Sequence, residues 1–213
     1  MYEAREQEDI LAELQEASKT PASKIEGTFE NDVLASSSIE FAKTEVELEE
    51  LCQISFAETS YGDYLSLRAE EHGVIRKSAV AATGELQIKG TAGAIVPRGS
   101  LFSTDTSMIF STSTDCMLGT EGTVTVSAIA VLPGKSGNVV AGTIKKIPIS
   151  IAGVQSVLNT EDFSGGFDEE SDAELLQRLL LHVRTPATSG NANHYKEWAL
   201  SVSGVKAAKV QPL

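Results

Sequence analysis

The chain has 213 residues, 41% apolar and 22% charged, with 30 acidic against 17 basic side chains and a net charge of −13. This length allows one or two domains with a real core, and an acidic chain with no basic, aromatic-interleaved stripe excludes phosphate-backbone binding to nucleic acid. Cys52 and Cys116 stand far apart in unlike contexts and read as free thiols, so neither a disulfide framework nor a zinc site is expected, and a reducing compartment fits.

The start, MYEAREQEDI, is acidic and lacks an apolar core, and no stretch approaches the roughly 18 apolar residues of a membrane span. A soluble protein without a secretion leader or membrane partner is expected. Charge is spread unevenly: residues 1–82 hold 18 acidic and 7 basic side chains, residues 83–160 hold 4 and 5, and residues 161–213 hold 8 and 5. The first segment has helical periodicity. On a helix, Leu34, Phe41, Leu48, Cys52 and Phe56 fall within an arc of about 80° that must pack on something, and Glu45 falls inside that arc as a misfit. The first 20 residues are helix-prone but thinly apolar, and are expected to order against a partner. A shorter helix is predicted around YLSLRAEEHGV, with Gly73 as its left-handed terminator.

From about Ala81 to Leu158 the pattern changes to short runs such as ELQIKG, MIFST, GTVTVSAIAV and GTIKKIPIS, separated by Gly, Pro, Asn and Ser. Period-two alternation with closely spaced turn signals predicts an antiparallel sandwich or barrel. Within it, PGKSGN at 133–138 contains the Gly-Lys-Ser that closes a nucleotide phosphate loop. That loop needs a glycine five residues before Gly134, where Ile129 stands, and it should open a helix, whereas NVVAGTI follows. PGKSGN is therefore expected to be a strand-connecting turn.

Helix returns after residue 160. Ser171 and Glu174 have capping-box spacing, and Leu175, Leu176, Leu179, Leu180 and Val183 then form a broad apolar stripe, with Leu181 facing away from it. A TPATSGN loop leads to a second helix with Tyr195, Trp198, Ala199 and Val202 on one side, and VKAAKV reads as a strand cut short at Pro212-Leu213, as though the parent protein continued. The expected class is α+β: N-terminal helices over 1–80, a central antiparallel β domain over 81–160, and a helical pair leading into a strand over 161–213. His72, His182 and His194 have no mutual ligand spacing. The acidic run FDEESDAE at 167–174 lacks a calcium-loop pattern and is explained by the helix it opens. No serine elbow and no carboxylate pair emerges, so no catalytic, cofactor or metal residue is assigned and no small-molecule substrate is expected.

Taken in order, IEGTFENDVLA, then SYGDYLSLRAEEHGVIRKSAVAATGELQIKG with Gly62, Leu65, Gly73 and Arg76, then GAIVPRGSLF and PGKSGNVVAGTI, resemble the baseplate J-like proteins of contractile phage tails. The end of the chain, from GGFDEESDAELLQRLL to VKAAKVQP, resembles the family's most distinctive block through Glu170, Ser171, Asp172, Arg178, Gly190, Tyr195, Trp198 and Val205. It departs from the family at Leu176, where a basic residue is common. The resemblance implies a non-catalytic wedge subunit, present in several copies in the virion's tail baseplate and assembled in the host cytoplasm with its own kind and with other wedge proteins. Phage and bacterial contractile injection systems use similar subunits. The contacts are expected on the N-terminal helices, through Leu34, Phe41 and Leu48, and on the 171–202 helical pair, through Leu181, Tyr195 and Trp198. The alternatives are a β-sandwich module recognising carbohydrate or a cell surface, which should expose aromatics although this β segment holds only Phe102 and Phe110, and a tail-attached cell-wall hydrolase.

Overall fold

The computed structural model describes residues 2–20, 24–184 and 190–211, in two compact units, 1–73 and 74–213. The first unit is helical: α1 (Gln7–Ala17), α2 (Phe29–Ile54) and α3 (Gly62–Glu70). Thr28 caps α2 by accepting the Asn31 N–H, and Gly73, at φ 74°, takes the left-handed turn expected after α3. Leu65 and Ala69 are the buried residues of α3.

Within the chain, α1 packs on a face of α2 other than the apolar arc. The residues of α2 that are buried are Asn31, Ser38 and Glu45, spaced by seven, and each meets a polar group of the first segment. Gln15 donates to Asn31 Oδ1 at 2.8 Å, Gln7 donates to Ser38 Oγ at 3.0 Å, and Glu45 takes the Arg5 guanidinium, with Nε–Oε1 at 2.9 Å, together with the Arg5 N–H at 2.9 Å. The misfit Glu45 is thus the anchor of the hairpin, and Ile10 is the buried apolar residue of α1. Leu34 is half-buried, while Phe41, Leu48 and Phe56 stay 53%, 44% and 62% exposed. The first helix orders against α2, within this chain.

The Arg5 hydrogen bonds hold the Glu45 carboxyl down at about 2, below its unfolded value of roughly 4.3. A depressed carboxylate stabilises the fold above the unfolded pKa and loses that contribution as pH falls through the folded one. Between about pH 5 and pH 2, α1 is therefore expected to loosen from α2. Hydrogen exchange of the α1 amides, corrected for intrinsic rate, checks this. Glu45→Gln should show weakened α1 protection already at neutral pH and a flatter pH response.

In the second unit, β1 (Thr83–Gly90), β3 (Leu101–Thr104), β4 (Ile109–Thr112), β6 (Thr123–Ala130), β7 (Ile144–Lys146) and β8 (Val154–Leu158) form one antiparallel sheet in the order β7-β3-β4-β6-β1-β8. A separate ribbon pairs β2 (Ile95–Val96) with β5 (Cys116–Met117). The alternation read in TVTVSAIA is realised as burial of Val126, Ala128 and Ala130 from β6. They join Leu86, Ile88, Phe102, Phe110, Ile144 and Val157 in one core. Phe163, from beyond the last strand, packs edge-on against Phe110 at 4.7 Å between centroids.

The sheet curls into a nearly closed barrel, and one side chain fastens its seam. Asn159, fully buried, follows β8 and faces the segment leading into β7. Its Oδ1 accepts the N–H groups of Thr143 and Ile144 at 3.0 and 2.9 Å, and its Nδ2 donates to the carbonyls of Val140 and Glu161, both at 2.9 Å. The Gly142 N–H reaches its backbone carbonyl at 2.7 Å. The amide replaces a strand ladder there.

PGKSGN is a turn, as expected: a single 3₁₀ turn, Lys135–Gly137, between β6 and β7. Asn138 clamps Gly166 from both sides, accepting its N–H and donating to its carbonyl, each at 2.8 Å. A Cβ at Gly166 would lie 2.5 Å from the Gly134 carbonyl, so glycine is needed for this approach.

After the barrel come α4 (Asp172–Arg184) and α5 (Ala192–Ser201). The capping box is present: Ser171 Oγ accepts the Glu174 N–H at 3.4 Å, and the Glu174 carboxylate accepts the Ser171 N–H at 3.3 Å. Leu175 and Leu179 are buried, Leu176 and Leu180 half-buried and Val183 exposed. Most of the TPATSGN loop, residues 185–189, and the final Pro212-Leu213 lie outside the described residues. The predicted VKAAKV strand differs from the structure: residues 205–210 join no ladder. Lys77 Nζ donates to Val205 O at the start of this segment at 3.5 Å, and to Val202 O just before it at 3.1 Å.

Candidate functional site

In the barrel unit, the acidic run opening α4 ties four separate parts of the chain together. Asp168 pairs with Lys135 (3.0 Å), Glu170 with Arg178 (2.7 Å), Asp172 with Arg76 (2.6 Å) and Glu174 with Lys206 (2.6 Å). Each carboxylate of that set therefore has a cation of its own. The lysine of the PGKSGN turn is engaged twice, its N–H also donating to Asp168 Oδ1 at 2.8 Å.

Glu170 is the innermost of the four, its side chain 5% exposed. It accepts Arg178 Nε at 2.8 Å, Arg178 Nη2 at 2.7 Å and the Lys77 N–H at 3.1 Å. Burial alone would raise its carboxyl, but the Arg178 guanidinium and the Lys77 N–H outweigh this and hold it below the usual carboxylate value. The Glu174 carboxyl is brought down to about 2 by Lys206 and by the Ser171 cap. Burial lowers the Lys77 ammonium. Arg76, Glu170, Asp172 and Arg178, which carry the family resemblance in sequence, thus form one ionic knot between the segment before β1 and the start of α4.

A groove of about 750 Å³ runs beside this knot, lined by Lys77, Lys135, Glu170, Arg178, Leu181 and Lys206 among others. On its walls, Lys135, Glu170, Arg178 and Lys206 are held in ion pairs, while the Lys77 ammonium donates to the carbonyls of Val202 and Val205. Among the described residues, no group of three or more His, Cys, Asp or Glu is arranged to hold a metal ion. His182 Nδ1 stands 3.6 Å from Glu197 Oε2, and the His194 ring lies tilted at 48° against Trp198, 4.1 Å between centroids.

The sequence-derived contact residues fall on two surfaces. Phe41 and Leu48 lie exposed on α2 with Leu34 half-buried beside them. On α5, Tyr195 is 52% and Trp198 57% exposed, and the two rings meet edge-to-face at 5.7 Å. Leu181 is half-buried on the wall of the groove. Phe102 and Phe110 of the barrel are fully buried. Sequence reasoning missed Glu45, Asn159 and the partners of the acidic run. The signal for Glu45 is the seven-residue repeat Asn31, Ser38, Glu45.

No helix among the described residues is long and apolar enough to cross a membrane. Residues 85–166 match the model of the baseplate J-like protein barrel domain. The chain is 32% identical over 216 residues to the phage-like element PBSX protein XkdT of Bacillus subtilis (strain 168), an alignment covering 100% of this chain and 58% of that protein. It is 35% identical over 137 residues to the baseplate protein gp47 of Escherichia phage Mu, covering 64% of this chain and 38% of that one. A chain in the cryo-EM structure of the anti-feeding prophage baseplate aligns with a TM-score of 0.48 and 11% identity, over 87% of this chain and 53% of that one. The chain thus spans less than two thirds of the length of the curated relatives it matches.

Proposed function

The chain carries the barrel domain of the baseplate J-like family, and from that premise we propose that it is a structural subunit of a contractile-tail baseplate, in a phage, a prophage or a related injection system. The observation that carries this is the match of residues 85–166 to that barrel, joined to relatives that include a protein named for the phage Mu baseplate. The subunit works by assembly with other baseplate proteins and with copies of itself, in the virion tail after assembly in the host cytoplasm. The role is structural and not catalytic. In its most concentrated run of carboxylates, at 168–174, Asp168, Glu170, Asp172 and Glu174 are engaged in ion pairs that hold the fold.

The helices of the first unit and the α4–α5 pair are the contact surfaces and the barrel is a spacer. In support, Phe41, Leu48, Tyr195 and Trp198 stand exposed on helices, whereas Phe102 and Phe110 are sealed in the barrel core. A carbohydrate-binding sheet would present such aromatics outward. A stable contact of this kind needs at least about 1,000 Å² of buried surface.

Deleting residues 1–60 tests the arrangement. The shortened protein is expected to be absent from affinity-purified tail particles while its barrel still folds. Its incorporation at normal level would remove the first unit from the interface, and absence of the intact protein from purified tails would remove the baseplate role itself.

A further inference from the structure

Two polar atoms of α5 are buried without an answer. Glu197 Oε1 and His194 Nδ1 are both shut off from solvent, and neither has a hydrogen-bond partner among the described residues. The two residues stand three positions apart, so their side chains are neighbours on the helix surface. The other Glu197 oxygen, Oε2, meets α4, where His182 Nδ1 lies 3.6 Å away. That approach is too long for a good hydrogen bond and is an ion pair only when the imidazole carries a proton. The Glu197 side chain is 16% exposed, and a carboxylate so enclosed needs a cation or hydrogen-bond donors.

Other charged groups of these elements serve elsewhere. Arg178 answers Glu170, Arg76 answers Asp172 and Lys206 answers Glu174 at the start of α4, Lys196 lines the groove, and Arg184 ends α4. Residues 185–189, between the two helices, hold no titratable side chain. The groups set beside Glu197 are thus His182, across the helix pair, and His194, one turn earlier on its own helix. Histidine is the side chain whose charge ordinarily changes between about pH 5 and 8. His194 also lies against Trp198, with 4.1 Å between ring centroids, and an indole face favours a protonated imidazole over a neutral one.

We infer that the α4–α5 pair is a proton-operated clasp, in which protonated His182 and His194 close on the buried Glu197 carboxylate and loss of those protons loosens α5 from α4. The sign follows from linkage. The clasped state offers the charged imidazoles a partner that the open state lacks, so the clasp is firm below the histidine range and weakens as pH rises through it. This is opposite to the α1–α2 hairpin, whose Glu45 contribution is lost on acidification. Tyr195 and Trp198 stand half-exposed on α5, so the presentation of this aromatic pair follows the clasp. The inference goes beyond the baseplate role and does not depend on it.

The test uses the full chain between about pH 5.5 and 8, above the range in which ordinary carboxylates titrate. Trp198 is the chain's one tryptophan, so its emission reports on the ring beside it. An imidazolium quenches indole more than a neutral imidazole does, and emission is expected to fall toward the acid end with a midpoint in the histidine range. His194→Gln should abolish this titration and His182→Gln should leave it. Hydrogen exchange of the α5 amides, corrected for intrinsic rate, reads the clasp itself. Protection in wild type is expected to be at least roughly twofold higher at the acid end. Glu197→Gln keeps the side-chain shape without the charge and should make α5 protection independent of pH, as should His182→Gln with His194→Gln. Circular dichroism checks that each variant keeps the parent's helical content.

Equal α5 protection at both ends of the range in wild type would overturn the clasp, and greater protection at the alkaline end would reverse its sign and overturn it as well. Wild-type pH dependence persisting in Glu197→Gln would give the effect to some other group. If one variant fails to fold, the other, which removes the cations instead of the anion, decides the question. None of these results touches the baseplate role, which is decided by the content of purified tails.

Discussion

Asn159→Ala is expected to open the barrel and to be among the most damaging single substitutions in the chain. The wild-type amide satisfies the N–H groups of Thr143 and Ile144 and the carbonyls of Val140 and Glu161. Alanine leaves the Thr143 and Ile144 N–H groups and the Glu161 carbonyl without that partner beside a core that includes Ile144, while the Val140 carbonyl keeps the Thr143 hydroxyl at 2.7 Å. Orphaning a buried polar group costs about 1–3 kcal/mol, and with several affected, some of them reachable by water, a loss of at least about 3 kcal/mol is expected. For a chain of this size that lowers the barrel's melting temperature by roughly 6–12 °C. Asn159→Asp separates the two halves of the device. It keeps the acceptor for Thr143 and Ile144 but sets an anionic oxygen against two carbonyls, so it should fall between wild type and alanine only at a pH low enough to protonate it. Hydrogen exchange at the Thr143 and Ile144 amides reads the seam directly.

Glu170→Ala has the second large effect. Its carboxylate answers Arg178, whose side chain is only 16% exposed, and the Lys77 N–H. Removing one member of such a pair leaves the other charge uncompensated, at a cost of about 3–5 kcal/mol. Urea unfolding of the full chain should show it in the transition of the barrel unit, with α4 the first element to lose exchange protection. Glu170→Gln keeps an acceptor for the Lys77 N–H and should lose less. Replacing Glu170 and Arg178 together by Gln and Met should recover part of the loss, because no buried charge is then left alone. A double-mutant cycle isolates that coupling.

Neither the role of Asn159 nor the ion pairing that makes Glu170 matter is written in the linear sequence, and the reason is physical. The strands were legible because alternation is written locally: β6 shows Val126, Ala128 and Ala130 inward with Thr125 and Ser127 between them. The capping box was legible because Ser171 and Glu174 meet across three positions. Asn159, by contrast, looks like any turn former, and its role exists only where the two free ends of the sheet approach each other. Glu45 reads as misplaced in the sequence because apolarity ordinarily marks a packed face. In this hairpin the packed face is polar, and the cation that makes Glu45 fit lies 40 residues earlier, at Arg5. The contact surfaces were legible in part, since Phe41, Leu48, Tyr195 and Trp198 are exposed.

The sheet order also bears on how the chain is made. β1, the first strand to be synthesised, sits between β6 and β8, the latter being the last of the sheet. At ribosomal speeds of about 5–20 residues per second, the interval between the end of β1 and the end of β8 is roughly 3–14 s. For all of that time β1 lacks at least one neighbour, with an unpaired edge and with Leu86 and Ile88 not yet enclosed. A nascent chain halted before Leu158 would therefore be a sticky, chaperone-dependent species, and slower translation across residues 91–153 should raise the yield of aggregate.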